Sequence, residues 1–258
     1  MIVQIYEIQT PAEAEAMIEM GVNHVGSVVP DAERWKNMEV LNTIRITAQS
    51  ESKSSLILLF NGVDRISLAL DFYRPDIIHF CDTVFEPLDQ WEATVGKMIS
   101  LQATVKERFP EIAIMRSIPV PPAGKALSLP ISVFARYFEP LTDYFLTDTY
   151  FIPESGQATA DQPVSGFIGI TGCPCDWDMT AQLVKESTIP VIMAGGLSAD
   201  NVYDAIVEVR PAGVDSCTNT NATDEQGMPI RFKKEMKKVA RFVAEAKRGE
   251  ETVKNEIL

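Results

Sequence analysis

Short apolar runs and helical stretches with one apolar face alternate from one end of this chain to the other, which constrains the fold more than any other feature. Such alternation is the mark of parallel strands joined by crossover helices. Strand-like runs fall at 3–8, 24–29, 55–60, 77–80, 112–115, 144–147, 191–194 and 213–216. Helices are expected at 11–20, around Val40, Leu41, Ile44 and Ala48, at 64–72, at 91–109, near 133–138, and from Asp176 onward. A further helix opens at Ser198 and carries Val202, Ala205, Ile206 and Val209 on one face. Thr10-Pro11-Ala12-Glu13 combines a capping box with proline at the first helical position. The run 55–60 is apolar throughout, as a strand covered on both faces must be. Roughly eight strand–helix units in 258 residues describe a (β/α)8 TIM barrel, which typically takes about 250. An open doubly wound sheet would call for a GxGxxG after its first strand, and none stands there.

Residues 1–248 are read as one barrel domain, closed by a charged amphipathic helix at 231–247 with Phe232, Met236, Val239 and Val243 on its buried face. The polar stretch 249–258 reads as a frayed tail. Two segments lack periodicity, 119–130 and 149–172, and a loop of the second one's length is usually a lid or disordered.

The net charge of −13 argues against nucleic-acid and anionic-membrane binding, which want a basic face. Nor is there an apolar run of the roughly eighteen residues that span a bilayer. With no secretory leader visible at 1–10, a cytoplasmic protein is expected, as a monomer or homodimer. Four cysteines do not make a disulfide framework, and the Cys173–Cys175 pair without a second pair is a weak zinc signal, so no metal is expected.

One ligand class fits despite the negative charge. Gly195 and Gly196 sit between a strand and a helix N-terminus, and the next strand ends at Thr218 and Asn219. Bare amides at such turns attract an anion, and two on successive strands make a phosphate clamp of the kind many (β/α)8 barrels carry after strands seven and eight. A tight turn that needs glycine for its backbone angles is the alternative reading.

Over 143–215 the sequence resembles the phosphoribosylanthranilate isomerase family. Leu146-Thr147-Asp148-Thr149 is similar to the family's strand-six end, and Gly169-Ile170-Thr171-Gly172 followed by Asp176-Trp177 to its Gly-Gly-Thr-Gly…Phe-Asp-Trp loop. Ala194-Gly195-Gly196-Leu197 and Arg210-Pro211-Ala212-Gly213-Val214-Asp215 stay close to the family wording. The resemblance implies an Amadori rearrangement of a phosphorylated small molecule, without cofactor. Asp148 takes the place of the general acid, Arg34 that of the arginine holding the anthranilate carboxylate, and Gly172, Gly195, Gly196, Thr218 and Asn219 that of the phosphate loops. Strand one departs. Where the family has Lys-x-Cys-Gly, with cysteine as base, this chain has Gln4-Ile5-Tyr6-Glu7. Tyr6 therefore occupies the base position, although a tyrosine with a pKa of about 10 accepts protons poorly at neutral pH. Glu7, Cys81 and Cys217 are the substitute candidates, with Glu7 expected on the opposite face of the strand from Tyr6. An isomerase with an altered base is the leading reading, beside an enzyme on another phosphosugar and a non-catalytic phosphometabolite-binding protein.

Overall fold

In the computed structural model eight parallel strands close into a barrel in sequence order, β1 to β8, each beside its chain neighbours, with β8 paired to β1. The structure describes residues 1–82, 91–125, 131–151, 164 and 166–257. The strands are β1 (Ile2–Ile5), β2 (His24–Val29), β3 (Lys53–Leu58), β4 (Ile77–Phe80), β5 (Ala113–Val120), β6 (Tyr144–Thr149), β7 (Val191–Met193) and β8 (Gly213–Ser216). Around them lie α1 (Pro11–Met20), α2 (Met38–Thr47), α3 (Val63–Tyr73), α4 (Trp91–Arg108), α5 (Ile131–Phe138), α6 (Trp177–Glu186), α7 (Val202–Val209) and α8 (Met236–Ile257). Much of the segment 149–172, and residues 126–130 of the other aperiodic segment, lie outside the described residues.

Local chemistry explains where the helices begin. The Thr10 hydroxyl accepts from the Glu13 N–H while the Glu13 carboxylate accepts from the Thr10 N–H, so α1 starts on the expected capping box. Asp176 caps α6 by accepting from the Met179 N–H at 3.0 Å. Helix α7 starts later than Ser198. The Ser198 hydroxyl accepts from the Asp200 N–H instead, in a turn that delays the helix to Val202.

Two apolar layers hold the barrel. Outward-facing strand residues such as Val3, Val25, Phe145 and Val214 pack under the helices. Inside, Ile77, Met115, Leu146, Ile192 and Ala194 form a small plug. Around it the interior is polar: His24, the first residue of β2, lies at the N-terminal end against Tyr144, and Gln4, Ser55, His79, Ser117 and Asp215 are buried along the strands. A barrel core is normally branched aliphatic, so polar interior residues near the C-terminal rim mark the mouth as the place to look for chemistry.

Two expectations fail at the C-terminal end. Residues 229–234 form a strand rather than a helix start. With β9 (Asn221–Thr223), strand β10 (Pro229–Lys234) makes an antiparallel hairpin inserted between β8 and α8. Its alternation of Ile230 and Phe232 with charged neighbours has the period of a strand, and helix begins only at Met236. The stretch after Gly249 is not frayed. Helix α8 runs on to Ile257, with the Gly249 Cα against Ile206 of α7.

Candidate active site

The C-terminal mouth of the barrel holds two adjoining cavities that share Asp148, Ile170, Asp215 and Cys217. The first is lined by the loops after β6, β7 and β8. Gly172, Gly195, Gly196, Thr218 and Asn219 all face it, so five of the expected binding residues meet at one recess with Asp148. Asn219 Nδ2 donates to the Gly196 carbonyl at 2.9 Å, and Asn201 Nδ2 donates to the same oxygen at 3.1 Å. These bonds occupy the Gly196 carbonyl, and with a longer one from Asn219 Nδ2 to the Gly172 carbonyl at 3.4 Å they tie the three loops together. The N–H groups of Gly195, Gly196, Thr218 and Asn219 meet no acceptor among the described residues. Gly196 has φ +63°, and a Cβ there would stand 2.4 Å from the Cys173 carbonyl carbon, so only glycine fits.

The second cavity is walled by Val28, Ile57, Leu59 and Ile168 and reaches Tyr6, Glu7 and Arg231. Tyr6 lies flat against Gly26, where a Cβ would fall 2.3 Å from its ring. Its hydroxyl bonds to Ser55 Oγ at 2.6 Å and to His79 Nδ1 at 2.8 Å, while His79 Nε2 reaches Ser117 Oγ at 2.8 Å. Burial pushes the Tyr6 hydroxyl well above its ordinary range, and it pushes His79 down to about 3. Both groups stay neutral, so Tyr6 at the expected base position is a hydrogen-bonded floor of the cavity. The substitute thiols fare no better. Burial raises Cys81 and Cys217 far above the thiolate range, and Cys175 to about 12.

Asp148 stands at the C-terminal end of β6. Its Oδ1 accepts from the Thr149 N–H at 2.7 Å, and its Oδ2 lies over Gly169, where a Cβ would come within 2.0 Å. Burial raises its pKa to about 7. Asp215 on β8 is a second carboxyl in the same mouth, raised to about 8 by burial. Its bond from Gln4 Nε2 at 3.0 Å pulls the value back, and the Asp148 charge adds to the rise. Like charges in a desolvated site hinder each other's ionisation, so the two titrate as a coupled pair. Sequence reasoning gives Asp215 no role; an acid inside the short strand-like run 213–216 is the signal that could find it.

Glu7 does not turn away from Tyr6. Strand β1 ends at Ile5 and Glu7 takes φ +64°, which swings its side chain into the cavity. It stands in the left-handed region at the place of the family motif's glycine, and Ile170 (φ +65°) does so in the loop after β6. Each such residue costs about 1–2 kcal/mol. Burial would raise the Glu7 pKa, but Arg231, the Asn221 side-chain amide and the Phe232 N–H hold it below its usual value. Arg34 is elsewhere. It lines neither cavity, its side chain is 89% exposed, and its Nε donates to Asp31 at 2.9 Å, the pair being held by an i,i+3 turn. Among the described residues no group of three or more His, Cys, Asp or Glu side chains is placed to hold a metal, and no helix is long and apolar enough to cross a membrane.

Comparison with known proteins points the same way. A family model for N-(5'-phosphoribosyl)anthranilate isomerase matches residues 146–228. The chain is 34% identical over 164 residues to N-(5'-phosphoribosyl)anthranilate isomerase 2 of Methanosarcina mazei, covering 64% of this chain and 60% of that protein. With the Methanosarcina acetivorans enzyme it shares 32% over 129 residues, 49% and 51% of the two chains. It thus spans half to three fifths of the length of these curated relatives. The barrel superposes on phosphoribosylanthranilate isomerase from Thermotoga maritima with a TM-score of 0.65 at 18% identity, covering 96% and 100% of the chains. On the Pyrococcus furiosus isomerase the TM-score is 0.62 at 21% identity, covering 96% and 99%. In sequence the β6–β8 half is similar to phosphoribosylanthranilate isomerases, and the whole barrel shares their fold, while the cysteine of their strand-one motif is Tyr6 here.

Proposed function

We propose that the protein is an aldose–ketose isomerase that carries out an Amadori rearrangement on phosphoribosylanthranilate or a close analogue, as a cytoplasmic step of tryptophan biosynthesis. The observation that carries the reading is the meeting, in one barrel mouth, of an amide-lined recess with the acid-raised Asp148. Gly195, Gly196, Thr218 and Asn219 would hold the phosphate by backbone N–H groups, which need no net positive charge. Asp148, protonated, gives its proton to the ribose ring oxygen. The C1–O bond breaks as the nitrogen lone pair forms the C1=N bond. A carboxylate then takes the proton from C2, the electrons form the C1=C2 bond of an enolamine, and the enol collapses to the ketone.

With Tyr6 and the thiols neutral, Asp215 in its ionised form is the base. Burial raises both carboxyls, and the Asp148 charge adds to the rise at Asp215, so the pair can hold a proton on one member while the other is ionised, the arrangement that lets one pair act as acid and base at once. Without the thiol base of the family motif, turnover should fall below the about 10 per second of ordinary enzymes.

The experiment is direct. Purified protein is given phosphoribosylanthranilate, and the gene is introduced into a strain that lacks the isomerase and needs tryptophan. Slow turnover with complementation supports the reading. The blocked base position favours a second reading, action on another phosphosugar or binding without catalysis. Phosphate-dependent binding with neither turnover nor complementation would decide for it.

A further inference from the structure

Arg231 reaches the mouth from a segment that lies outside the β/α repeat. The hairpin that carries it is fastened at its base. Lys234 Nζ donates to the Asn221 Oδ1 at 2.6 Å, to the Cys217 carbonyl at 2.8 Å and to Thr220 Oγ1 at 3.2 Å, and Lys238 Nζ donates to the Asn221 carbonyl at 2.8 Å. Asn221 Nδ2 in turn donates to Glu7 Oε2 at 2.7 Å, and the Phe232 N–H donates to the same oxygen at 3.1 Å. The remaining oxygen of Glu7 accepts from Arg231 Nε. Glu7 at φ +64° and Phe232, next to Arg231, at φ +60° both sit in left-handed backbone. Strain at non-glycine residues persists only where the surroundings impose it, and it gathers at ligand clamps.

The result is a guanidinium held by one edge. Its Nε is fixed on Glu7, while Nη1 and Nη2 meet no acceptor among the described residues. The side chain is 35% exposed and lines the apolar-walled cavity that also holds Asp148 and Asp215. The two adjoining cavities bring together an amide-lined recess, two carboxyls, an apolar wall and this guanidinium. That set suits a ligand with a phosphate at one end and an aryl carboxylate at the other.

We propose that Arg231 is the receptor for the carboxylate end of the substrate, the role the family resemblance assigns to Arg34. The inference rests on the isomerase reading and names its second anion-binding residue. A planar guanidinium with two free N–H donors on one edge binds a carboxylate in a fork that an ammonium cannot copy.

Calorimetry on the full chain tests it with two probes. One is reduced 1-(o-carboxyphenylamino)-1-deoxyribulose 5-phosphate, which is bound in a structure of a phosphoribosylanthranilate isomerase. The other is the same molecule without its carboxyl group. The wild type should prefer the carboxylated probe. Arg231→Met should weaken that probe about 10- to 100-fold, the range for losing a charge-assisted pair, and leave the carboxyl-free probe unchanged. Arg231→Lys should fall between, and Arg34→Ala should keep the wild-type preference. Preference retained by Arg231→Met or lost in Arg34→Ala overturns the inference and leaves the isomerase reading standing. Equal weakening of both probes by Arg231→Met overturns it too, since that is the mark of a purely structural pair with Glu7. A wild type that binds neither probe sinks the isomerase reading itself, and this inference with it.

Discussion

Asp215→Asn is predicted to change the pH dependence of stability in a way that isolates the desolvated carboxyl. Asp215 is 4% exposed and its carboxyl is raised from 3.8 to about 8. The folded protein therefore binds that proton more tightly than the unfolded chain. The stabilisation is fully present below about pH 4 and is lost as pH climbs through 8, at up to about 1.4 kcal/mol per pH unit. Asparagine keeps the shape and can accept the Gln4 hydrogen bond through its Oδ1, but it cannot ionise. Between pH 5 and pH 8 the ceiling on the difference is about 4 kcal/mol. A mouth-facing site admits water that relieves part of the penalty, so about 2 kcal/mol is expected. Urea unfolding of both proteins at pH 5 and pH 8, at matched ionic strength, reads the change directly. Asp215→Asn should gain on the wild type as pH rises. A difference that stays constant, or that shrinks toward pH 8, would refute the claim that Asp215 is a desolvated, raised carboxyl.

Further outcomes follow from the same geometry. Gly169→Ala would drive a Cβ to 2.0 Å from Asp148 Oδ2, and moving a reacting group by such a distance should lower turnover about 10²-fold; an unchanged kcat would sink the assignment. Gly196→Val should abolish phosphate binding measured by calorimetry while circular dichroism stays that of a folded barrel, because its side chain must push into the 173–174 backbone. Tyr6→Phe leaves Ser55 and His79 short of a partner, so denaturant melts should show a loss of about 1–3 kcal/mol. Its turnover should not show the 10²-fold or greater loss that removal of a general base brings, and such a loss would restore Tyr6 as a catalyst.

The barrel itself was legible in the sequence because parallel strands and amphipathic helices write different periods, and the glycines and polar tips that end β7 and β8 sit where turns require them. The amide-lined recess was legible for the same reason, since backbone amides at a glycine turn need no particular side chain. Arg34 was not, because a loop arginine can satisfy its charge locally, and Asp31 three residues away does so here. Glu7 broke the alternation rule at the point where the strand had already ended and the backbone turned left-handed. The hairpin that delivers Arg231 was hidden by its lysines, which extend a strand pattern into what reads as the first turn of a charged helix. Asp215 could have been singled out, since a carboxyl in a short buried strand must either find a partner or keep its proton.

The central claim is that Asp148 and Asp215 share the proton chemistry in a mouth that no longer has a thiol base. Turnover of phosphoribosylanthranilate by the wild type, Asp148→Asn and Asp215→Asn, each followed from pH 5.5 to 9, tests it most directly. Slow wild-type turnover with a pH profile shaped by two raised carboxyls is predicted, each variant falling by about 10²-fold or more. Wild-type rates in either variant, or a profile without a break between pH 6 and 9, would contradict it.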